Sequence, residues 1–291
     1  MEAPTGGGMG KFSVFIFVFH AVLFGLSLYC SSSMADPRPE AYAIISDIDD
    51  TIKITHVPSP HLSRFSWNHL RSYYDALRNG IYGKQVFVGM KELLKELGGR
   101  ADRVTYLSGA PQKLEFYTHE LLVKENGFPE GGFVFNNWWQ WKNSMIFKKE
   151  QLPILAGEAQ LPVILIGDDT EYDPEVYSEF SKADPSRTLK IYIHRVVGRE
   201  LPEGVYPFST AFEVALLEMS EGRLRSDQVI QVGKAILDSS HPEDLFPFFK
   251  NCPQGMSEVH SILSAATEEV RQLAENLEQF VLPVCHTAWQ L

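Results

Sequence analysis

Ala41-Tyr42-Ala43-Ile44-Ile45-Ser46-Asp47-Ile48-Asp49-Asp50-Thr51 passes from an unbroken apolar run straight into a cluster of acids. The apolar part is too short for a globular helix and reads as a buried strand. Asp47 and Asp49 stand two apart at its carboxyl end, so both can project toward one site. In an open parallel sheet, ligands collect beyond the carboxyl ends of the strands. A carboxylate placed there can attack phosphorus. A second can protonate a leaving oxygen and later activate water. Paired acids also suit a hard cation. The bland alternative is a helix N-cap or a solvated acidic loop.

Outward from this segment, strand-like and helix-like stretches alternate. Val88 to Leu97 has helical periodicity and stops at Gly98-Gly99, a C-cap signal. Val104 to Leu107 predicts a second strand, Gln112 to Glu125 a helix closed by Asn126-Gly127, and Gly132 to Phe135 a third strand. Pro162 to Ile166 and Leu189 to Ile193 supply two more, with helical stretches between. This pattern predicts an α/β fold with a central parallel sheet covered on both faces. Past Ser209 the strand signals vanish. Val259, Ile262, Leu263, Ala266, Val270, Leu273 and Leu277 recur at helical spacing. A helical C-terminal segment over 209–291 is expected, packed on the sheet or on a partner.

Three further places carry candidate chemistry. Ser108-Gly109-Ala110-Pro111 follows the second strand, where a hydroxyl and exposed amides can hold a phosphate; an ordinary capping serine is the alternative. Lys148 or Lys149 opens a helical stretch and could neutralise phosphoryl oxygens, although most lysines are simply solvated. Gly167-Asp168-Asp169-Thr170-Glu171-Tyr172-Asp173 places more carboxylates at a strand end, either as Mg2+ ligands or as a second acidic loop.

In their order and placement these segments resemble the motifs of the haloacid dehalogenase superfamily. More narrowly they resemble the catalytic domain of the actin-patch type of phosphatidate phosphatase. The residues that carry the likeness are Ser46 to Lys53, Val88-Gly89-Met90 with Glu92-Leu93, and Tyr106 to Pro111. Phe147-Lys148, Leu165 to Asp169 and Asp173 to Tyr177 complete it. It extends over roughly Ala41 to Val196. It implies a three-layer sandwich with a small helical cap insert and Mg2+-dependent hydrolysis through an aspartyl phosphate. Residue by residue, it implies Asp47 as nucleophile and metal ligand, and Asp49 as general acid/base with its backbone carbonyl on the metal. Thr51, Ser108 and Gly109 would face the substrate, and Lys148 would be the catalytic lysine, with Lys149 the alternative. Asp168 and Asp173 would complete the metal set. The implied substrate is phosphatidate at a membrane surface, with a soluble phosphomonoester as the rival. A non-catalytic exported binding module is a third reading.

Two departures from the family pattern stand out. Ser108-Gly109-Ala110-Pro111 replaces a common Ser-Asn-Ser-Pro, and Asp169 stands where serine is common, which would add negative charge beside the metal. Residues 56–82, with Phe65, Trp67, Tyr73 and Tyr74, read as a small helical cover that excludes water. Trp138, Trp139 and Trp141 suit a membrane interface or an apolar ligand, but core is the commoner fate of such residues.

The chain's ends and charge bound its surroundings. Phe12 to Tyr29 is almost wholly apolar, follows Lys11, and leads to Ser33-Met34-Ala35, the layout of a secretory signal peptide over residues 1–35. An uncleaved anchor is the competing reading. The expected catalytic domain then covers residues 36–208. The formal net charge of −11 excludes the basic face that nucleic-acid binding requires. An exported protein could pair Cys252 with Cys285, or keep them as two separate buried thiols.

Overall fold

The computed structural model describes residues 41–57, 78–79, 81–115, 117–137, 142–247, 249, 252–253 and 259–288. The leader, most of the expected cover (Phe65, Trp67, Tyr73 and Tyr74 included) and Trp138, Trp139 and Trp141 lie outside these residues. Among the described residues, no helix is long and apolar enough to cross a membrane.

Six strands form one wholly parallel sheet in the order β3-β2-β1-β4-β5-β6. They are β1 (Ala43–Ser46), β2 (Arg103–Pro111), β3 (Gly132–Asn136), β4 (Val163–Asp168), β5 (Thr188–His194) and β6 (Tyr206–Phe208). The helices are α1 (Met90–Gly98), α2 (Ser144–Ala159), α3 (Asp173–Ala183), α4 (Ala211–Ser220), α5 (Ser226–Leu237), α6 (His260–Ala265) and α7 (Glu268–Ala288).

The strands read as continuous apolar runs because both pleat faces are buried. Ile44, Tyr106, Ile164, Ile166 and Tyr192 enter one core with residues of α1, α4, α5 and α7. Their strand neighbours Ala43, Ile45, Leu107, Leu165, Ile191 and Ile193 enter a second core with Phe147, Leu152 and Leu155 of α2 and Val176 and Tyr177 of α3. The result is the expected three-layer sandwich.

The segment after Ser209 supplies most of one helical layer rather than standing apart from the sheet. From residue 41 on, the described residues form one compact unit. A buried ionic knot fastens that layer to β5. Tyr192 donates to Glu218, and Arg223 grips Glu218 with both arms of its guanidinium. A wholly buried carboxylate without such a partner would be strongly destabilising.

Two local expectations change. The helix expected over Gln112 to Glu125 shrinks to a π-helical turn at Glu120–Glu125. The residues from Gln112 to Glu115 run through turns instead, and only the Gln112 amide still reaches β3, donating to the Asn136 carbonyl at 3.1 Å. Strand β6, only three residues long and containing Pro207, was not foreseen. The stop at Gly98-Gly99 holds: Gly98 is the last residue of α1 and Gly99 its cap, with right-handed backbone angles.

Candidate active site

The site forms where β1, β2 and β4 end. The Asp47 amide still bonds to the Ile166 carbonyl at 2.8 Å, so the nucleophile candidate sits on the last rung of the ladder. The chain then turns sharply through Asp50, whose φ is +56°. Such a conformation is costly for a non-glycine residue unless its surroundings fix it. Here the buried Asp50 carboxylate accepts bonds from the Thr55 amide and hydroxyl and from the His56 and Val57 amides. The Asp50 carbonyl meets the His194 imidazole Nδ1 at 3.1 Å.

Lys148, on the first turns of α2, reaches Asp47 Oδ1 and Asp173 Oδ1 at 2.5 Å each, and its side chain is 3% exposed. Lys149 turns outward to Glu179 with 36% exposure, so of the two lysines it is Lys148 that reaches the carboxylates. Burial alone would lower the Lys148 pKa, but Asp173 and Asp47 hold it well above the ordinary value, so the ammonium stays charged. Burial pushes the Asp47 carboxyl up; Lys148 opposes this, while Asp173, Asp168 and Asp49 add to it. Asp168 is pushed up in the same way, first by burial and then by Asp173.

Asp47, Asp168 and Asp173 each offer a carboxylate oxygen, and these atoms lie within 4.8 Å of one another. Asp173 Oδ2 is buried without a hydrogen-bond partner. An excess of buried negative charge, an all-oxygen donor set and an orphaned oxygen fit a hard divalent cation such as Mg2+. Asp49 lies outside this side-chain cluster, and its carboxylate accepts from the Ser108 hydroxyl at 2.8 Å. Any contribution from Asp49 to the metal would therefore come through its backbone.

Thr51 and Gly109, both expected near the substrate, make framework contacts. The Thr51 hydroxyl stands 3.2 Å from both Asp47 Oδ2 and Asp168 Oδ2 and shares its proton between them. Gly109 gives α2 room: a Cβ there would lie 2.1 Å from Ser144 Oγ. The Asp169 expectation is corrected. Its carboxylate is taken up by the Val197, Gly198 and Arg199 amides, so its charge is not left free beside the metal.

The structure adds residues that the sequence did not single out. Lys53, part of the first motif, is buried in an ion pair with Glu115 at 3.3 Å and donates to Thr118. Burial pushes the Glu115 carboxyl up to about 7, with Asp49 raising it further and Lys53 opposing. Ser144 donates to Glu171 at 2.9 Å on the rim near Lys148. No sequence signal marks these partners, because they meet only through the fold.

Residues 42–195 match the family described as "Phosphatidate phosphatase APP1, catalytic domain". The chain belongs to this family. Its activity class is accordingly that of a phosphatase, a hydrolase. A comparison with curated proteins gave no match. Among solved structures, the phosphoserine phosphatase from T. onnurineus in complex with NDSB-201 is similar at 16% identity and a TM-score of 0.34. That likeness covers 60% of this chain and 92% of the other. The family match in this phosphatase runs from just before β1 to the residue after β5, and so includes every strand end that builds the site.

Proposed function

We propose that this phosphatase is exported and hydrolyses phosphatidate to diacylglycerol and phosphate through an aspartyl phosphate on Asp47, with Mg2+ held by Asp47, Asp168 and Asp173. The observation that carries the mechanism is the Lys148–Asp47 contact at 2.5 Å within the carboxylate cluster, with Asp49, held by Ser108, two residues along the chain from Asp47.

An Asp47 carboxylate oxygen attacks phosphorus, and the bond from phosphorus to the ester oxygen breaks. Asp49, held by Ser108, gives its proton to the departing alkoxide. Asp49 then takes a proton from water, whose oxygen attacks the acyl phosphate and expels the Asp47 carboxylate with inorganic phosphate. Lys148 offsets charge on Asp47 and on the phosphoryl oxygens. A divalent cation, when bound, supplies further charge compensation to those oxygens.

Family membership supports the lipid substrate. So does a cavity of about 280 Å³ lined by Ile81, Tyr82, Tyr117 and Leu121 beside Lys53, whose backbone bridges that of Asp49. The disulfide between Cys252 and Cys285 supports an oxidising compartment and therefore export.

The test is phosphate release from phosphatidate in mixed micelles and from soluble phosphomonoesters, with Mg2+ and with chelator. Mg2+-dependent release from phosphatidate, abolished by Asp47→Asn, is expected. Full activity in Asp47→Asn would sink the mechanism, and release only from soluble esters would discard the lipid.

A further inference from the structure

Asp168 and Asp173 are separated by a loop, so their spacing must be fixed by something other than the sheet. The loop's flanks are held from one place. The Arg199 guanidinium donates through Nε to the Asp169 carbonyl at 2.9 Å and through Nη2 to the Glu171 carbonyl at 2.8 Å. The same guanidinium reaches both carboxylate oxygens of Glu175, on the first turn of α3, with Nη2 at 2.9 Å and Nη1 closer. One rigid planar group thus joins the residue after Asp168, the middle of the loop and the helix that begins with Asp173.

Arg199 is itself held from the loop. The Asp169 carboxylate accepts from the Val197 amide at 2.7 Å, the Gly198 amide at 2.6 Å and the Arg199 amide at 3.2 Å. Consecutive amides converge in this way because Gly198 takes a left-handed φ of +79°. The grip is therefore reciprocal: the Asp169 side chain fixes the backbone of Arg199, and the Arg199 side chain fixes the backbone of Asp169. Asp169 is fully buried, and the Arg199 side chain is 16% exposed, so water screens the pair weakly. Arg199 stands beyond the matched residues 42–195.

We propose that Asp169 and Arg199 are positioning residues that together set the spacing of Asp168 and Asp173, and so the affinity of the carboxylate site for a divalent cation. This rests on the metal-site reading above. Neither side chain touches the reacting atoms. Groups that orient metal ligands in this way typically account for about 10–100-fold in affinity.

The test titrates metal-stripped full-length protein with Mn2+, following the free-ion signal by electron paramagnetic resonance. Wild type is compared with Arg199→Gln, Arg199→Lys, Asp169→Asn and the Asp169→Asn/Arg199→Gln double variant, with circular dichroism verifying the fold of each. Each single variant should raise the Mn2+ Kd about 10-fold or more. Lysine should not rescue, since one ammonium cannot span the three partners. The double variant should be little worse than the worse single one, because either loss breaks the same device. In phosphate release, the Mg2+ concentration giving half-maximal rate should rise while the rate at saturating Mg2+ stays within about threefold of wild type.

An unchanged Mn2+ Kd in folded Arg199→Lys and Asp169→Asn overturns the proposal, even if their melting temperatures fall. A wild-type protein that binds no Mn2+ at this site overturns it together with the metal-site reading, which distinguishes the two failures.

Discussion

Lys148 Nζ stands 2.5 Å from Asp47 Oδ1 and, like Asp47, is almost wholly removed from water. In that setting a fixed ammonium is worth far more than one at the surface. Lys148→Ala is expected to lower kcat by about 10²–10³-fold, the scale of losing one preorganised electrostatic contact. Lys149→Ala should stay within about twofold, because Lys149 pairs with Glu179 at the surface. Steady-state phosphate release by the two variants tests this, and equal effects would contradict the geometry.

Gly109 is a second point where one atom decides. An added Cβ would lie 2.1 Å from Ser144 Oγ and 2.7 Å from Ser144 Cβ, so the start of α2 must shift. Lys148 rides on that helix. Gly109→Ala should cost about 1–3 kcal/mol in stability through overpacking. It should also lower kcat at least about 10-fold, because Lys148 moves with α2. Adding Ser144→Gly should restore part of both. Thermal melts and phosphate release on the single and double variants check it.

How much of this was readable in advance follows from how local each signal is. Asp47 and Asp168 were legible as candidates because each stands at the carboxyl end of a short buried strand, a pattern contained in a few consecutive residues. Lys148 and Lys149 were left open, since neighbours on a helix differ only in which face meets the sheet. For Thr51, Gly109 and Asp169 the framework contacts could not be read from the sequence. The Thr51 hydroxyl turns to Asp47 and Asp168, Gly109 lies tight against Ser144 at the start of α2, and the Asp169 carboxylate turns to the Val197–Arg199 amides. Arg199 carried no signature at all, since two of its contacts are backbone carbonyls that no residue pattern encodes. The C-terminal helices were recognised as helices. Their place in the core depends on long-range packing, as where α7, which carries the buried Val270 and Leu277, meets α5.

Cys252 and Cys285 are joined across a sequence separation of 33 residues. A loop of that size restricts the unfolded chain by roughly 3–4 kcal/mol in the chain-entropy account. Replacing both cysteines by serine should lower the unfolding free energy by about that amount, read as a lower urea midpoint with a somewhat steeper slope, because the released unfolded chain exposes more surface. Reductant should lower the wild-type midpoint similarly and leave the double variant unmoved. A reductant-insensitive wild type would mean that the two sulfurs are not bonded.

His194 is packed among Phe87, Phe208 and Phe249 and meets the Asp50 carbonyl. Burial lowers its pKa from 6.5 to about 4, against the opposing pull of the Asp50 and Ser209 backbone groups. Between those two pH values the unfolded chain binds a proton at this residue and the folded chain does not. Its contribution is therefore fully present above pH 6.5 and is lost as the pH falls toward 4, a change of about 3 kcal/mol. Asp50, which burial pushes up to about 7, acts in the opposite sense over an overlapping range. Total stability is then a poor readout, and the difference between wild type and His194→Gln is the quantity to follow, since Asp50 is common to both. That difference should shift by about 3 kcal/mol against wild type between pH 7 and pH 4 in urea titrations. A difference that stays flat across this range would show that His194 titrates as it does in water, and that its aromatic cage does not exclude solvent.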